Sequence, residues 1–325
     1  MIPVMKFVPM LGTLVKHGKR RTSNIFMHRN LLITGGCGHI GSSLIRELSK
    51  DYSVTVVDDM TTQRYCSLFN ITRPIKFLEK DIADLTEQDI VDIDVVIHLA
   101  SITDATNSFG DREQVETVNY TSTIKLMDLC KTTNCKFIFP SSTSVYGVAA
   151  EKVYEDDPSF VNPQSPYAES KIKGEEYLKT CGLDYLILRL GTIFGGSRGM
   201  RFHTAINKFC YQASIGQPLT IWKENYEQHR PYLGLTDCIF AIKHFLDNDH
   251  WGQTFNVLSG NWKLSDIVEM IKSKTEVTLD MVDTPLLNQY SYLVSNDKIL
   301  ETGFIPMDDL EEEIEDTLDR LTNLK

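Results

Sequence analysis

The 325-residue sequence lacks several features that would have assigned it quickly. No apolar run reaches the roughly 18–20 residues that span a bilayer, so no membrane helix is expected. No C-x-x-C pair occurs among the seven cysteines, at 37, 66, 130, 135, 181, 210 and 238, which leaves neither a zinc ribbon nor a redox dithiol. Scattered cysteines of odd number fit a reducing compartment, and Cys130 and Cys135 read as buried thiols at a helix end and a strand start. Basic residues are in deficit, 33 against 44 acids for a net charge of −11, which argues against a protein that wraps nucleic acid by charge. Local basic patches remain free to hold a phosphorylated small molecule. Repeats, low-complexity tracts and metal-ligand spacing are absent. With 42% apolar residues the chain has the composition of a soluble globular protein, large enough to bury a core without staples.

Acid is missing altogether from residues 1–30, where Lys6, Lys16, Lys19, Arg20, Arg21 and Arg29 make a basic stretch. This reads as a disordered extension over residues 1–29, or as sequence preceding a start at Met27, ahead of an organelle transit segment.

From Asn30 the pattern changes. Asn30–Thr34 is a short apolar run suited to a buried parallel strand, and it opens directly into Gly35-Gly36-Cys37-Gly38-His39-Ile40-Gly41. Leu44, Ile45 and Leu48 then recur at helical spacing, and Ser53–Val57 is a second strand ending at Asp58. Glycines at 35, 38 and 41 permit a tight turn, close approach of a pyrophosphate and close helix packing, and the helix N-terminus offers free N–H groups. Asp58, 17 residues past Gly41, is placed to accept an adenosine ribose and to repel a 2′-phosphate, which favours NAD over NADP; Asp59 is its neighbour and rival. Strands are expected at Ile75–Leu78, Asp94–Leu99, Lys136–Phe139 and Leu183–Leu190, with one long helix over 111–131. This alternation predicts an α/β fold, a Rossmann-type doubly wound parallel sheet. His98, inside an apolar strand, reads as a satisfied core histidine.

Chemistry in such sheets lies beyond the carboxyl ends of the strands. There stands Pro140-Ser-Ser-Thr-Ser-Val-Tyr-Gly147, followed by Tyr167-Ala-Glu-Ser-Lys171. Tyr167 and Lys171 are i and i+4, on one helix face. A phenol near pKa 10 is a poor base at neutral pH, and a nearby lysine ammonium together with the positive nicotinamide ring of an oxidised cofactor favours its phenolate; a shift of ~3 units is worth roughly 4 kcal/mol. Such a tyrosinate takes a proton from a sugar hydroxyl while Ser142 hydrogen-bonds the same oxygen.

These segments together resemble the extended short-chain dehydrogenase/reductases, in the NAD-dependent epimerase/dehydratase family that modifies nucleotide sugars. The resemblance covers about residues 30–320. It rests on TGGCGHIG at 34–41, VVDD at 56–59, DI at 81–82, VIHLA at 96–100, VN at 118–119, SSTSVYG at 141–147 and YAESK at 167–171. It implies cofactor contacts from Gly35, Gly38, His39, Ile40, Gly41, Asp58, Asp81, Ile82, Leu99, Ala100, Asn119, Tyr167 and Lys171, and a catalytic trio of Ser142, Tyr167 and Lys171, with Thr143 as the rival of Ser142. It also implies an NAD-binding domain over 30–190, a smaller α/β lobe over 191–325 that mainly holds the substrate, a hairpin near Gly216–Trp222, and a homodimer built on the helices at 111–131 and 167–180. Candidate substrate contacts are Thr143, Thr192, Arg201 and Arg230, the last as a phosphate clamp, with Arg198 a weaker alternative. Thr192 stands where many relatives carry Asn.

Acids that dehydrating or decarboxylating branches carry after the catalytic hydroxyl are replaced here by Thr143 and Ser144, which disfavours loss of water. The expected activity is therefore a cytoplasmic, NAD-dependent epimerase acting on a nucleotide sugar through a transient 4-keto intermediate. The alternatives are a dehydrogenase, reductase or dehydratase of the same family, and, last, an inactive NAD-binding scaffold. No metal is expected. The acidic run Glu311-Glu312-Glu313 reads as a solvated helix face.

Overall fold

The computed structural model describes residues 29–104, 107–147, 152–283 and 292–321. The expected extension over 1–29 lies, but for Arg29, outside the described residues.

The first half runs β1 (Asn30–Thr34), α1 (His39–Leu48), β2 (Ser53–Asp58), β3 (Lys76–Glu79), α2 (Glu87–Ile90), β4 (Val95–His98), α3 (Arg112–Glu116), α4 (Ser122–Thr133) and β5 (Lys136–Ser142). It continues through β6 (Lys152–Val153), α5 (Pro166–Cys181), β7 (Tyr185–Leu190) and β8 (Thr192–Phe194). Beyond these lie α6 (Ala205–Ser214), β9 (Leu219–Trp222), β10 (His229–Gly234), α7 (Leu235–Asp247), β11 (Gln253–Val257) and β12 (Gly260–Lys263). The chain ends with α8 (Leu264–Lys274), β13 (Leu279–Val282), β14 (Leu293–Val294), α9 (Asp297–Glu301) and α10 (Leu310–Arg320).

Seven strands form one sheet in the order β11-β7-β5-β4-β1-β2-β3, every neighbouring pair parallel. Both faces are covered, as a parallel sheet requires. Leu31 and Ile33 face a core shared with Leu44, Ile45 and Leu48 of α1 and Ile242 and Phe245 of α7. Leu32, one residue out of phase, faces Leu126, Met127 and Cys130 of α4 and Leu178 of α5 on the opposite side. The strand order turns at β1 and β4, which opens a crevice at their carboxyl ends. A second apolar core, with Phe194, Phe209, Leu219, Ile221, Ile267, Ile271 and Ile314, packs α6, α8 and α10 against the smaller sheets.

Two local expectations need correction. Residues 111–131 are not one regular helix: a π turn at Thr117–Thr121 separates α3 from α4. No hairpin forms around Gly216–Trp222 either. β9 pairs in parallel with β13 (Leu219 with Leu279 through Trp222 with Val282), while β10 leaves to join β8 and β12. The turn at Lys223–Asn225 redirects the chain before a return strand can pair.

His98 is buried and satisfied on both ring nitrogens, by Thr34 Oγ1 at 2.8 Å and Thr123 Oγ1 at 2.9 Å. Burial pushes its pKa down to about 3, so it packs as a neutral ring. Cys130 and Cys135 are buried thiols as expected.

Candidate active site

Gly35 takes a left-handed conformation, φ 64°, and any Cβ there would lie 2.6 Å from the Ala100 nitrogen. Only glycine lets the chain leave β1 this sharply against the end of β4. The turn delivers Gly38 to the N-cap of α1, where no side chain caps the helix. The free N–H groups of its first turn therefore face a cleft of about 470 Å³, lined there by Gly35, Gly38, His39, Ile40 and Gly41.

Asp58 stands beside this turn. Its carboxylate accepts from the Cys37 N–H at 2.9 Å and the Met60 N–H at 3.0 Å. Burial raises its pKa, and the two backbone bonds work against that rise. Each oxygen keeps a lone pair for a ribose hydroxyl. Asp59 is exposed and accepts from the Thr61 N–H. An uncapped helix N-terminus, a glycine turn and a neighbouring acid suit the pyrophosphate and ribose of NAD. Cations surround the same corner. Burial lowers the pKa of His39 to about 3, with help from Arg201, His203 and Arg64, and His39 Nε2 is buried without a hydrogen-bond partner among the described residues.

The remaining predicted cofactor residues divide. Leu99 lines the cleft. Ala100 does not, and its N–H donates to Thr34 Oγ1 at 3.2 Å. Asn119, carried on the π turn, accepts from the Ile102 N–H at 2.8 Å and donates to the Ile102 oxygen at 2.9 Å, holding the segment that follows β4. Asp81 and Ile82, like Asp58, are not among the residues lining the cleft: Asp81 caps a short turn through the Ala83 N–H, and Ile82 is buried in the core.

Ser142, Tyr167 and Lys171 come together across the cleft from the glycine turn. Ser142 ends β5; α5 starts at Pro166 with the Ser165 hydroxyl capping the Ala168 N–H, which sets Tyr167 on the first turn. The Ser142 hydroxyl lies close enough to the Tyr167 phenol to pull its pKa down, and it accepts from the Ser144 N–H at 3.1 Å and the Ser144 hydroxyl at 2.9 Å. Thr143, its rival, spends its hydroxyl on the Leu190 oxygen at 3.2 Å.

Burial raises the phenol pKa of Tyr167, and the Ser142 hydroxyl and Arg201 oppose that rise. The Lys171 ammonium donates to the Pro140 oxygen at 2.9 Å and sits 4.9 Å from the Phe139 ring centre and 5.7 Å from that of Tyr167. Burial lowers its own pKa to about 8, with Glu175 resisting.

Thr143, Thr192, Arg201 and Arg230 all line the cleft, and Arg198 does not. Arg201 Nε and Arg230 Nη2 are buried without hydrogen-bond partners among the described residues, and the Arg230 guanidinium lies 5.4 Å from the Tyr292 ring centre. Sequence reasoning missed Asp104, His203 and Trp222, which also line the cleft. Asp104 was findable, since it follows a strand whose carboxyl end faces the crevice; His203 and Trp222 stand on a loop and a strand whose place depends on distant pairing.

The residue pattern of the NAD dependent epimerase/dehydratase family matches residues 31–257. A Bacillus subtilis (strain 168) protein named as uncharacterized UDP-glucose epimerase YtcB is 31% identical over 250 residues, 70% of this chain and 76% of its own. Against trifunctional plant relatives that it also matches, the chain spans about half their length (47%). Among solved structures, a UDP-N-acetylglucosamine 4-epimerase from Methanobrevibacter ruminantium M1 superposes with TM-score 0.81 at 27% identity, covering 90% of this chain and 97% of that one. A UDP-glucuronic acid 4-epimerase from Bacillus cereus, in complex with UDP-glucuronic acid and NAD, superposes with TM-score 0.78 at 28% identity, covering 90% and 98%.

Proposed function

Because the chain belongs to the NAD dependent epimerase/dehydratase family, we propose that it epimerises a nucleotide sugar at C4 through a transient 4-keto sugar. The observation that carries this reading is the meeting of Ser142, Tyr167 and Lys171 in one cleft with the uncapped end of α1. The residues that would hold NAD are those of the glycine turn and Asp58, with Tyr167 and Lys171 at the other end; bound there, NAD supplies the acceptor and donor of hydride. Tyr167 takes the proton of the 4-hydroxyl as that carbon is oxidised and returns it after the sugar has turned to present its other face. Ser142 holds the same oxygen by a hydrogen bond. Arg230 and Arg201 hold anionic groups of the substrate through guanidinium N–H groups that lack protein partners.

Residues 30–190 mainly serve the cofactor and 191–325 mainly the substrate. Free cysteines are consistent with a cytoplasmic protein, and the faces of α3, α4 and α5 are our candidate for a homodimer contact. Among the described residues no helix is long and apolar enough to cross a membrane.

Among the described residues Asp104 is the only carboxylate lining the cleft. Its charge acts on Arg201 and His203, and we read it as their countercharge. Incubation with UDP-glucose, UDP-N-acetylglucosamine and UDP-glucuronic acid, with and without added NAD, tests the proposal. Epimerisation leaves mass unchanged and alters configuration at C4. Loss of water or carbon dioxide, or one NADH formed per product, would overturn it. Tyr167→Phe lowers kcat by at least about 10²-fold on this mechanism; full activity in that variant removes Tyr167 as the base.

A further inference from the structure

One turn beyond Lys171 on α5, Glu175 is wholly buried, and so is Arg189 on β7, at 2% exposure. Arg189 grips it with two parallel bonds, Nε to Oε1 at 3.0 Å and Nη2 to Oε2 at 2.6 Å. A buried ion pair is costly to desolvate and survives only where its other polar sites are also matched. Here they are. Ser141 Oγ donates to Glu175 Oε1 at 2.6 Å, and Arg189 Nη1 donates to the Tyr146 hydroxyl at 2.9 Å. Tyr146 in turn donates to Asn256 Oδ1 at 2.6 Å, so β5, β7 and β11 are tied together beneath the site.

The placement relative to Ser142 matters most. Three consecutive residues of β5 face α5: the Pro140 oxygen takes the Lys171 ammonium, the Ser141 hydroxyl takes Glu175, and Ser142 meets Tyr167. Tyr167, Lys171 and Glu175 are spaced by four on one helix face. A well-packed apolar pair at 175 and 189 would hold the sheet as well as these charges do. It would neither hold the Ser141 hydroxyl nor supply a negative charge one turn from the ammonium.

We propose that Glu175 and Arg189 are positioning residues, which fix the strand end bearing Ser142 through Ser141 and provide the countercharge that keeps Lys171 an ammonium. The inference rests on the epimerase reading for its kinetic readout alone.

The titratable and charged groups around Lys171 are Tyr167 and Glu175 on its own helix and His98 on β4, with Arg189 on β7 and Lys179 on α5 acting on Glu175. His98 is neutral, so Glu175 is the anion that sustains the ammonium. Removing that charge lowers the Lys171 pKa.

The test compares the full-length wild type with Ser141→Ala, Glu175→Gln and the double variant Glu175→Gln/Arg189→Gln. The double variant removes both buried charges together, for the case in which a lone Arg189 prevents folding. Turnover of the active nucleotide sugar is measured beside trace acetylation of Lys171 with acetic anhydride across pH, read by mass spectrometry, which needs no substrate. Ser141→Ala lowers kcat about tenfold with KM unchanged, as a small displacement of one reacting group does. It leaves the Lys171 labelling midpoint near 8. Glu175→Gln moves that midpoint to lower pH by about one unit, and the double variant, which also removes a cation, moves it the same way by less. Wild-type kcat in Ser141→Ala, or an unmoved midpoint in the charge variants, overturns the proposal; if neither charge variant folds, Ser141→Ala decides it. Should Tyr167→Phe prove fully active, the epimerase reading fails while the labelling experiment still decides whether Glu175 is the countercharge.

Discussion

Gly199 gives the sharpest way to ask whether the segment after β8 shapes the cofactor site. It lies directly on the glycine turn: a Cβ at 199 would sit 2.3 Å from the Gly38 oxygen and 2.6 Å from the Cys37 oxygen, against 3.4–4 Å for ordinary contact. Both obstacles are backbone, so Gly199→Ala forces a separation of about 1 Å. That separation strains the Gly199 N–H bond to Ser42 Oγ, now 3.0 Å, and the bond between Ser197 Oγ and His39 Nδ1, now 2.7 Å. Two such bonds are worth together about 1–3 kcal/mol. At roughly 2–4 °C per kcal/mol the variant should melt about 2–12 °C below wild type. Displacing the turn also pulls the first N–H groups of α1 from the pyrophosphate, and a loss of about 1.4 kcal/mol there is tenfold in affinity. Calorimetric titration with NAD should therefore show at least about a tenfold weaker Kd. Gly303→Ala is the control: its φ is 89° but nothing lies within 4 Å of a Cβ, so it costs only backbone strain, about 1 kcal/mol, and leaves NAD binding alone. Wild-type NAD affinity in Gly199→Ala would refute the idea that this contact sets the shape of the turn.

Two further predictions concern the second lobe. Burial first, then Asp308 and Asp316, raise the pKa of Glu313 to about 7, and Arg320 only partly opposes them. The folded protein thus holds this proton more tightly than the unfolded chain does, so the stabilisation is complete below the unfolded carboxylate value and fades as pH rises through about 7. Glu313→Gln should be more stable than wild type at pH 8 by about 1–2 kcal/mol, discounted for partial exposure, and equal to it near pH 4, as read by urea unfolding at both. Arg230→Met should weaken binding of UDP about 10- to 150-fold, the worth of a charge-assisted contact of ~1.5–3 kcal/mol, with kcat for the sugar little changed; unaltered UDP affinity would take Arg230 out of the substrate site.

Much of the nucleotide-binding half was legible because its strands are buried on both faces and so read as unbroken apolar runs. Asn30–Thr34 was bounded correctly, and Ile75–Leu78 slipped by one residue to Lys76–Glu79. The π turn at Thr117–Thr121 was invisible because one extra residue in a turn barely disturbs an apolar period, yet it is what carries Asn119 to Ile102. In the second half the information is non-local. Leu219–Trp222 has strand character, but its partner lies some sixty residues away at Leu279–Val282, and no local signal distinguishes that pairing from a hairpin. Glu313 read as solvated like Glu311 and Glu312; it is half-buried because it stands one residue before Ile314, which enters the second core.

The phenol and ammonium show the same limit at the site itself. Spacing by four places Tyr167 and Lys171 on one helix face, and that much the sequence contains. It does not say where a four-carbon stem ends. Here the stem carries the ammonium to the Pro140 oxygen, 5.7 Å from the centre of the Tyr167 ring. Burial then acts on both groups in the sense that disfavours charge, raising the Tyr167 pKa and lowering that of Lys171 to about 8. The resting site accordingly keeps a neutral phenol, and the cation acting on it from the protein is Arg201, delivered by the loop beyond β8. A base that is weak at rest and gains strength as positive charge gathers around it couples proton removal to the filling of the cleft, where the Coulombic effect of each added charge grows as water leaves.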